Sequence, residues 1–410
     1  MKNFLQKVRT GLETVGKKVS QQFPTNAVIK VLSYVLTAVA AAVLTTALLL
    51  PAMYTAVPVG GTKLTQLEQL IRDRFIGEVD LTKLEDAAAN AMIGATGDRW
   101  SYYIPASQMQ AYEEQKNNAY VGIGITIQRL EDGSLEIINV TVGGSAESAG
   151  VQAGDVIVGV DGKSIAGMEL DAVKDMVRGE ENTEVALTVR RRGQEQTISV
   201  TRKRIKTPVA IPKLLENNVG YIQIVNFNAG CASETIKAIE ELMAQGANKL
   251  IFDVRFNGGG YASEMVDLLD YLLPKGEIFR TVDYTGKVQV EYSDAKHLDL
   301  PMTVLVNGSS YSAAEFFAAA LREYEAATVI GEQTSGKGYF QVTFQLSDGS
   351  GVALSIGKYY TPQGNSLEKV GITPDVVVPV DEKTAAAIYA GTLDPMEDPQ
   401  ILKAIEQLIG

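Results

Sequence analysis

The feature that most constrains how this chain folds is a run of 20 residues without a charged side chain, residues 31–50. As an α-helix this run would be about 30 Å long, which matches the hydrocarbon core of a bilayer. Six cations and one anion, Glu13, precede it. Because Lys and Arg accumulate on the cytoplasmic side, the run predicts a single transmembrane helix at 31–50 in the plasma membrane, with residues 1–30 as a cytoplasmic basic tail. The domains after it would then be extracytoplasmic.

A cleaved signal peptide is the alternative interpretation of the same segment. The apolar region of a signal peptide usually spans only about 7–15 residues, which favours an uncleaved anchor. Small residues at 52–56 nevertheless leave room for cleavage.

Composition excludes several kinds of site. The 410 residues carry a formal net charge of −12, with one His, His297, and one Cys, Cys231. So acidic a chain argues against nucleic acid as a partner, because that affinity rests on clustered cations. A single Cys excludes an intrachain disulfide, and together with a single His it cannot form a Cys/His zinc site. No metal and no cofactor are therefore expected.

The hydrophobic period changes along the chain and predicts a mixed α/β multidomain protein. A linker at 51–61 leads to a helical segment at 62–118, in which apolar residues recur every three or four positions. Residues 119–205 read as a β-rich module with Asp-Gly turns at 132–133 and 161–162. Strands then alternate with helices through 206–395, which predicts a largely parallel sheet, and a C-terminal helix follows at 396–410.

Two strands of this α/β region end in turns that could carry chemistry. The apolar stretch at 249–254 leads into Asn257 and three glycines, Gly258 to Gly260. Glycines at a strand end let backbone N–H groups approach a ligand closely. A phosphate-binding loop is the alternative, although neither of the usual glycine-rich phosphate motifs is present.

The second turn follows the strand at 302–306 and places Ser312 where a helix begins. A nucleophile at such a turn exposes its oxygen, while the next backbone N–H can donate to an oxyanion. On the pattern alone, a simple helix N-cap explains the serine at least as well.

A serine hydroxyl needs a base before it can attack an amide. His297 precedes Ser312 by 15 residues within a polar stretch, which is typical of a surface imidazole. The other candidate is Lys337, which lies between two glycines. A buried lysine can lose its proton near neutral pH and then accept the serine proton.

At this point the sequence resembles the carboxy-terminal processing (tail-specific) protease family, and in particular its membrane-anchored bacterial members. The resemblance covers nearly everything after residue 62, and the motifs occur in the family's order. They are GDRWSYY (97–103), YVGIG (120–124), GSAESAGV (144–151), GD (154–155), DVRFNGGG (253–260), NGSSYSAAE (307–315), GKGYFQ (336–341), YTPQG (360–364) and GITPD (371–375). The family spaces its serine and lysine by 25 positions, and Ser312 and Lys337 keep that spacing.

The sequence departs from the family pattern at a few positions. Gly258 stands where the family has Pro, and Arg99 and Trp100 replace Pro and Tyr. Tyr311 and Ala314 replace the small residues, usually Ala and Ser, beside the nucleophile. None of these changes removes an atom that the family's chemistry requires.

The resemblance implies a serine endopeptidase with a Ser-Lys dyad and a PDZ domain at 119–205. Ser312 would be the nucleophile and Lys337 the general base, with Gln341 orienting the amine or the hydroxyl. The backbone N–H groups of Ala313 and of either Gly258 or Gly259 would form the oxyanion hole.

The PDZ domain would select substrates by their C-terminal tails. Its loop Val121, Gly122, Ile123 and Gly124 would hold the carboxylate of an apolar tail, bound as an added strand. Arg178, at the end of the PDZ helix, is a candidate sensor of bound peptide; a cation that merely stabilises the helix C-terminus explains it equally well.

Two rival functions stay open. A PDZ-containing trypsin-like protease would need His297 as its base. A membrane-anchored adaptor or pseudoprotease would bind tails without cutting them. The oligomeric state, a homo-oligomer included, stays open as well.

Overall fold

The computed structural model describes residues 6, 9–11, 13, 14, 17, 25–55, 61–130 and 132–410. More than half of the predicted basic tail and residues 56–60 of the predicted linker therefore lie outside the described residues. The chain divides into two compact units, residues 1–85 and 86–410. The first helices are α1 (Thr25–Thr55), α2 (Lys63–Arg74) and α3 (Leu81–Gly94). Helix α1 contains an exposed apolar stretch, Ile29–Thr46, that by length and composition could cross a membrane or serve as a signal sequence.

A short segment precedes the β-rich module and adds one strand to a sheet formed much later in the chain. It consists of β1 (Tyr102–Ile104) and α4 (Ala106–Lys116). The sequence pattern predicted only helices here, and the strand is an addition. Its partner lies about 250 residues further along the chain, where Tyr103 pairs with Val352. A three-residue strand with so distant a partner leaves no periodic signal in its own neighbourhood.

The β-rich module is built from eight strands and two helices around one apolar core. Its elements are β2 (Ala119–Gly122), β3 (Ile125–Arg129), β4 (Leu135–Val140), α5 (Ser145–Ser148), β5 (Val156–Val160), β6 (Lys163–Ser164), α6 (Leu170–Val177), β7 (Glu184–Arg191), β8 (Gln194–Thr201) and β9 (Lys203–Lys206). Helix α6 buries Val173 and Val177 against this core, where Ile123 is also buried.

The α/β region contains a six-stranded sheet that is mainly parallel, as predicted. Its order is β10-β11-β12-β15-β16-β19, and only the β10–β11 pair is antiparallel. The strands are β10 (Ala210–Leu215), β11 (Val219–Ile224), β12 (Lys249–Asp253), β15 (Met302–Val306), β16 (Ala327–Gly331) and β19 (Val376–Val377). The helices around them are α7 (Cys231–Ala244), α8 (Ala262–Leu272), α9 (Ala313–Glu323), α10 (Glu382–Tyr389) and α11 (Pro399–Ile409).

Both faces of this sheet are covered, which explains why its strands are continuously apolar. Along β12, Leu250 and Phe252 belong to the cluster that contains the buried residues of α7, α8 and α9. Ile251, between them, belongs to a second cluster with Ile401 and Ile405 of α11. Successive side chains of a strand point to opposite faces, so α11 covers the face opposite to α7, α8 and α9.

A second, antiparallel sheet carries the segment that follows Lys337. It is formed by β1, β13 (Gly276–Asp283), β14 (Val288–Ser293), β17 (Tyr339–Gln345) and β18 (Gly351–Tyr360). The long strand β18 pairs with β1, β13 and β17. Most of this sheet was not predicted. The hairpins β13–β14 and β17–β18 are local, whereas the pairings of β18 with β1 and β13, which join them into one sheet, cross long sequence separations.

A buried ion network ties the C-terminal helix to the end of β12. The guanidinium of Arg255 donates to the carboxylate of Asp253, and its Nη1 lies 2.8 Å from both Asp398 Oδ2 and Gln400 Oε1. Asp398 is also the N-cap of α11. The network joins α11 to the strand that leads into the glycine turn.

We predict that Asp398→Ala lowers the free energy of unfolding by about 3–5 kcal/mol, because it leaves the buried Arg255 without one partner. Asp381→Ala is the matched control, since Asp381 caps α10 through Thr384 N–H but is exposed. Urea denaturation of the full chain should show a clearly larger loss for Asp398→Ala. Equal losses for the two variants would contradict a stabilising role for the network.

Candidate active site

The two predicted turns meet at one edge of the parallel sheet. Strands β12 and β15 are neighbours, with Asp253 opposite Leu305. The carboxyl ends of parallel strands lie at the same edge, so the glycine turn after β12 and the Ser312 turn after β15 come together. Tyr311 N–H donates to Asn257 O at 3.1 Å, which joins the two turns directly.

Ser312 has a strained backbone at the start of α9. Its φ is 60° and its ψ is −128°, values that a residue with a side chain rarely adopts. Such a conformation costs about 1–3 kcal/mol and persists only where the surroundings enforce it. Ser312 is the N-cap of α9 and forms a capping box with Glu315, but an ordinary N-cap has extended backbone angles and this serine does not.

One buried carboxylate, that of Glu315, joins the serine turn to the lysine loop. It accepts hydrogen bonds from Ser312 N–H at 3.0 Å, from Gly336 N–H and Lys337 N–H at 2.8 Å each, and from the Thr334 hydroxyl. The side chain is fully buried, and these four donors offset the cost of burying its charge. The sequence analysis noted Glu315 only as part of a motif and assigned it no role.

The amine of Lys337 is partly buried close to this turn. Burial, together with the positive charge of Lys116, lowers the pKa of Lys337 to about 8. The carboxylates of Asp98, Glu315 and Glu368 act in the opposite direction. Among the described residues, Nζ has no hydrogen bond or ion pair, and its contacts are the rings of Trp100 and Tyr311. It is therefore not hydrogen-bonded to Ser312 Oγ in this structure.

Gln341 lies four residues beyond Lys337 on β17 and is held by the neighbouring strand. Its Nε2 donates to Ser355 Oγ at 2.9 Å and to Tyr339 O at 3.1 Å. Ser355 N–H in turn donates to Ser101 Oγ, so the GDRWSYY segment supports this region. Gln341 is not hydrogen-bonded to Lys337 in this conformation.

The glycine turn lies directly against Ser312. A Cβ atom at Gly259 would be 2.8 Å from Ser312 Cβ, and Gly259 has a φ of +83°, so only glycine fits there. Gly259 N–H donates to Asn257 Oδ1 at 2.8 Å. Within the described residues Gly258 N–H has no acceptor, which leaves it free for a ligand.

The predicted carboxylate loop of the β-rich module lies between β2 and β3. Val121 and Gly122 end β2, which pairs with β9, and Gly124 has a φ of +80°. Ile123 is buried in the module's core, and its carbonyl accepts from Ala146 N–H at 3.0 Å. The loop backbone is thus held in place by the short helix α5.

Arg178 ends helix α6 and faces the segment before the module. Its guanidinium is 4.0 Å from the Glu114 carboxylate and lies over the ring of Tyr120. Glu114 belongs to α4, whose last residue is Lys116. Helix α4 therefore carries one residue next to Arg178 and another whose charge acts on Lys337.

The residues that would support other chemistry are not gathered at this site. Among the described residues, the exposed imidazole of His297 has one hydrogen-bond contact, with Ala295 O at 3.5 Å. Among the described residues, no group of three or more His, Cys, Asp or Glu side chains could hold a metal ion. The Cys231 thiol is buried, and burial raises its pKa to about 12.

Comparison with known proteins places both parts of the chain. Residues 218–378 match peptidase family S41, and residues 136–191 match the PDZ domain. The chain is 33% identical over 317 residues to the carboxy-terminal processing protease CtpA of Bacillus subtilis, covering 77% of this chain and 68% of that protein. It is 32% identical over 320 residues to a probable CtpA-like serine protease of Staphylococcus aureus, covering 77% of this chain and 64% of that protein.

A solved structure supports the fold. The putative S41 protease from Bacteroides fragilis superimposes with a TM-score of 0.50 at 16% identity, covering 86% of this chain and 99% of that one. Identity to the Bacillus subtilis protein over two thirds of its length, together with the S41 and PDZ matches, is sufficient to assign the family. This chain belongs to the carboxy-terminal processing proteases, PDZ-containing serine-type peptidases of family S41.

Proposed function

We propose that the chain is a membrane-anchored endopeptidase that cleaves extracytoplasmic proteins near their C-termini, with Ser312 as nucleophile and Lys337 as general base. The observation that carries this proposal is the Glu315 carboxylate, which binds the backbone of both residues. It keeps a strained serine and a partly buried amine at one edge of the sheet.

The reaction is acyl transfer. The neutral Lys337 amine takes the proton of Ser312 Oγ while this oxygen attacks the peptide carbonyl. The resulting ammonium then protonates the leaving amine, and an ester to Ser312 remains. Lys337 next removes a proton from water, which hydrolyses the ester and frees Ser312.

The oxyanion that forms during attack needs donors beside Ser312. Ala313 N–H, at the first position of α9, and Gly258 N–H are the proposed pair. Gly259 N–H is the weaker candidate of the two glycines, because Asn257 Oδ1 already accepts from it. Removal of one such donor typically costs about 2.7–4 kcal/mol of transition-state stabilisation.

Substrate selection would lie in the PDZ domain. The tail of a substrate would add as a strand, and N–H groups of the Val121–Gly124 loop would hold its carboxylate. Arg178 is the proposed sensor, since its contact with Glu114 links the PDZ helix to α4. Gln341, held by Ser355, would orient the amine or the hydroxyl once Lys337 turns toward Ser312.

Helix α1 would anchor the enzyme in the plasma membrane as a single span. Its apolar stretch and the six cations before it support an orientation with the N-terminus in the cytoplasm. The PDZ and protease domains would then face extracytoplasmic substrates.

A tail-binding pseudoprotease is the second candidate. The absence of a hydrogen bond between Ser312 Oγ and Lys337 Nζ is the observation that favours it. Catalytic hydrogen bonds often tighten only in the substrate complex, so this observation alone does not remove the enzyme.

Substitutions of Ser312 and His297 distinguish the Ser-Lys protease, the pseudoprotease and the trypsin-like rival. Ser312→Ala should abolish cleavage of a casein-like protein and of a peptide with an apolar tail, while thermal unfolding stays near that of the unmodified chain. His297→Ala is the matched control and should keep full activity, because His297 is exposed and away from the site. Robust cleavage by Ser312→Ala, or loss of activity in His297→Ala, would overturn the proposed nucleophile or base.

The second prediction concerns pH. Since only the neutral amine can accept a proton, and the pKa of Lys337 is lowered to about 8, kcat/KM should rise with pH through about 8. Lys337→Arg should be inactive at every pH, because arginine stays charged. Activity that is flat between pH 6 and 9, or that survives in Lys337→Arg, would exclude Lys337 as the base.

The third prediction concerns the tail. A peptide substrate with a free, apolar C-terminus should be cleaved faster than the same peptide with an amidated C-terminus, because the PDZ loop needs the carboxylate. Arg178→Ala should reduce this difference while peptide binding persists. Equal rates for the two peptides with the unmodified chain would contradict PDZ selection.

A further inference from the structure

Two aromatic rings surround the amine of Lys337. Nζ lies 5.0 Å from the ring centre of Trp100 and 5.7 Å from that of Tyr311. The two rings are stacked on each other, with centroids 5.6 Å apart and an interplanar angle of 29°. We call these residues the Trp100–Tyr311 pair. No other partner of Nζ is present among the described residues.

The pair is firmly held by its surroundings. The guanidinium of Arg99 lies 4.2 Å from the Trp100 ring and donates to the carbonyls of Ser335 and Gly336, so it clamps the ring to the lysine loop. Tyr311 packs on Gly258, where a Cβ atom would come within 2.5 Å of the tyrosine Oη. A proline at 258, as in the family motif, would not leave this space.

Four of the five departures from the family motif therefore lie together in space. Arg99 and Trp100 are far in sequence from Gly258 and Tyr311, but the four form one cluster around Lys337. The indole Nε1–H of Trp100 is buried without an acceptor among the described residues. An unpaired donor costs free energy, so ring contacts rather than a hydrogen bond determine where Trp100 lies.

An ammonium near an aromatic face is stabilised relative to a neutral amine. This cation–π attraction is stronger at desolvated sites than at exposed ones. The site of Lys337 is partly buried, and its charged form is opposed by burial and by Lys116. The rings thus favour the charged amine, as the surrounding carboxylates do, and oppose burial and Lys116, which favour the neutral amine.

We propose that Trp100 and Tyr311 are positioning residues that retain the protonated amine of Lys337 in the peptide-free enzyme and so set the pH at which Lys337 becomes a free base. The proposal rests on the proposed function, in which Lys337 must reach Ser312 as a neutral amine. The pair then delays formation of the free base, because the amine leaves the rings only when it loses its proton or when substrate displaces it.

Other charged groups face Lys337 and must be held constant in a test. Lys116 lies on α4 and Glu315 on α9, while Asp98 precedes β1 and Glu368 precedes β19. Arg99 lies over the Trp100 ring. A substitution of one ring removes none of these five charged side chains. This makes ring substitutions the sharpest probes of the pair.

The decisive comparison is Trp100→Leu against Trp100→Phe in the full chain. Leucine keeps an apolar side chain but removes the aromatic face, whereas phenylalanine keeps a ring. We expect the rise of kcat/KM with pH to move about one pH unit lower in Trp100→Leu. At pH 7 this shift raises kcat/KM about fivefold. In Trp100→Phe the pH at which kcat/KM rises should move clearly less.

A second readout does not require activity. In the Ser312→Ala background, the pH dependence of acetic anhydride labelling of Lys337, followed by peptide mapping, reports the protonation of the amine directly. The same downward shift is expected when Trp100→Leu is added. If the unmodified chain shows no Ser312-dependent cleavage, the proposed function fails, while this labelling still tests the pair.

The outcomes decide the proposal in both directions. The proposal is overturned if the pH at which kcat/KM rises stays the same or moves upward in Trp100→Leu, while its thermal unfolding matches that of Trp100→Phe. If Trp100→Leu does not fold, Tyr311→Leu against Tyr311→Phe takes its place, with the same expected direction. Lower activity at every pH with no shift in either readout would mean that the ring only packs, and would also overturn the proposal.

Discussion

The arrangement of the whole site depends on the buried carboxylate of Glu315. Strand ends bring the serine turn to the sheet edge, but nothing in the parallel sheet positions Lys337, which comes from a loop leading into the other sheet. Glu315 connects the two by accepting from the backbone N–H groups of Ser312, Gly336 and Lys337. A buried carboxylate with all its donors in place is stabilising, and removal of any one donor is costly. The strained backbone of Ser312 is therefore maintained by interactions outside its own turn.

Charge balance around Lys337 follows from this geometry. The same loop that Glu315 holds places the amine in a partly buried position, where desolvation lowers its pKa toward the physiological range. Lys116, at the end of α4, contributes in the same direction from a helix that also carries Glu114, the neighbour of Arg178. Helix α4 thus contacts the PDZ helix through Glu114 and acts on the amine through the charge of Lys116.

Much of the fold could be read from local patterns. The parallel strands at 249–254 and 302–306 and the start of the helix at Ser312 were predicted almost to the residue, because continuous apolar runs and helical periodicity are local signals. The antiparallel sheet was largely missed: β1 and β18 pair across about 250 residues, and the two local hairpins, β13–β14 and β17–β18, were not predicted either. The assignment of Ser312 and Lys337 relied on spacing within a family pattern, which no periodicity contains. The roles of Glu315, Trp100 and Tyr311 depend on contacts between loops, and only coordinates reveal such contacts.

The central claim is that the Lys337 amine serves as the base for Ser312, and a structure of the full chain with a peptide-like inhibitor bound at Ser312 and a peptide tail in the PDZ domain tests it most directly. The quantity to measure is the distance from Lys337 Nζ to Ser312 Oγ. The account predicts that Nζ has left the rings of Trp100 and Tyr311 and lies within about 3.2 Å of the serine oxygen. An amine that stays on the rings, or turns into solvent, while the site is occupied would contradict it.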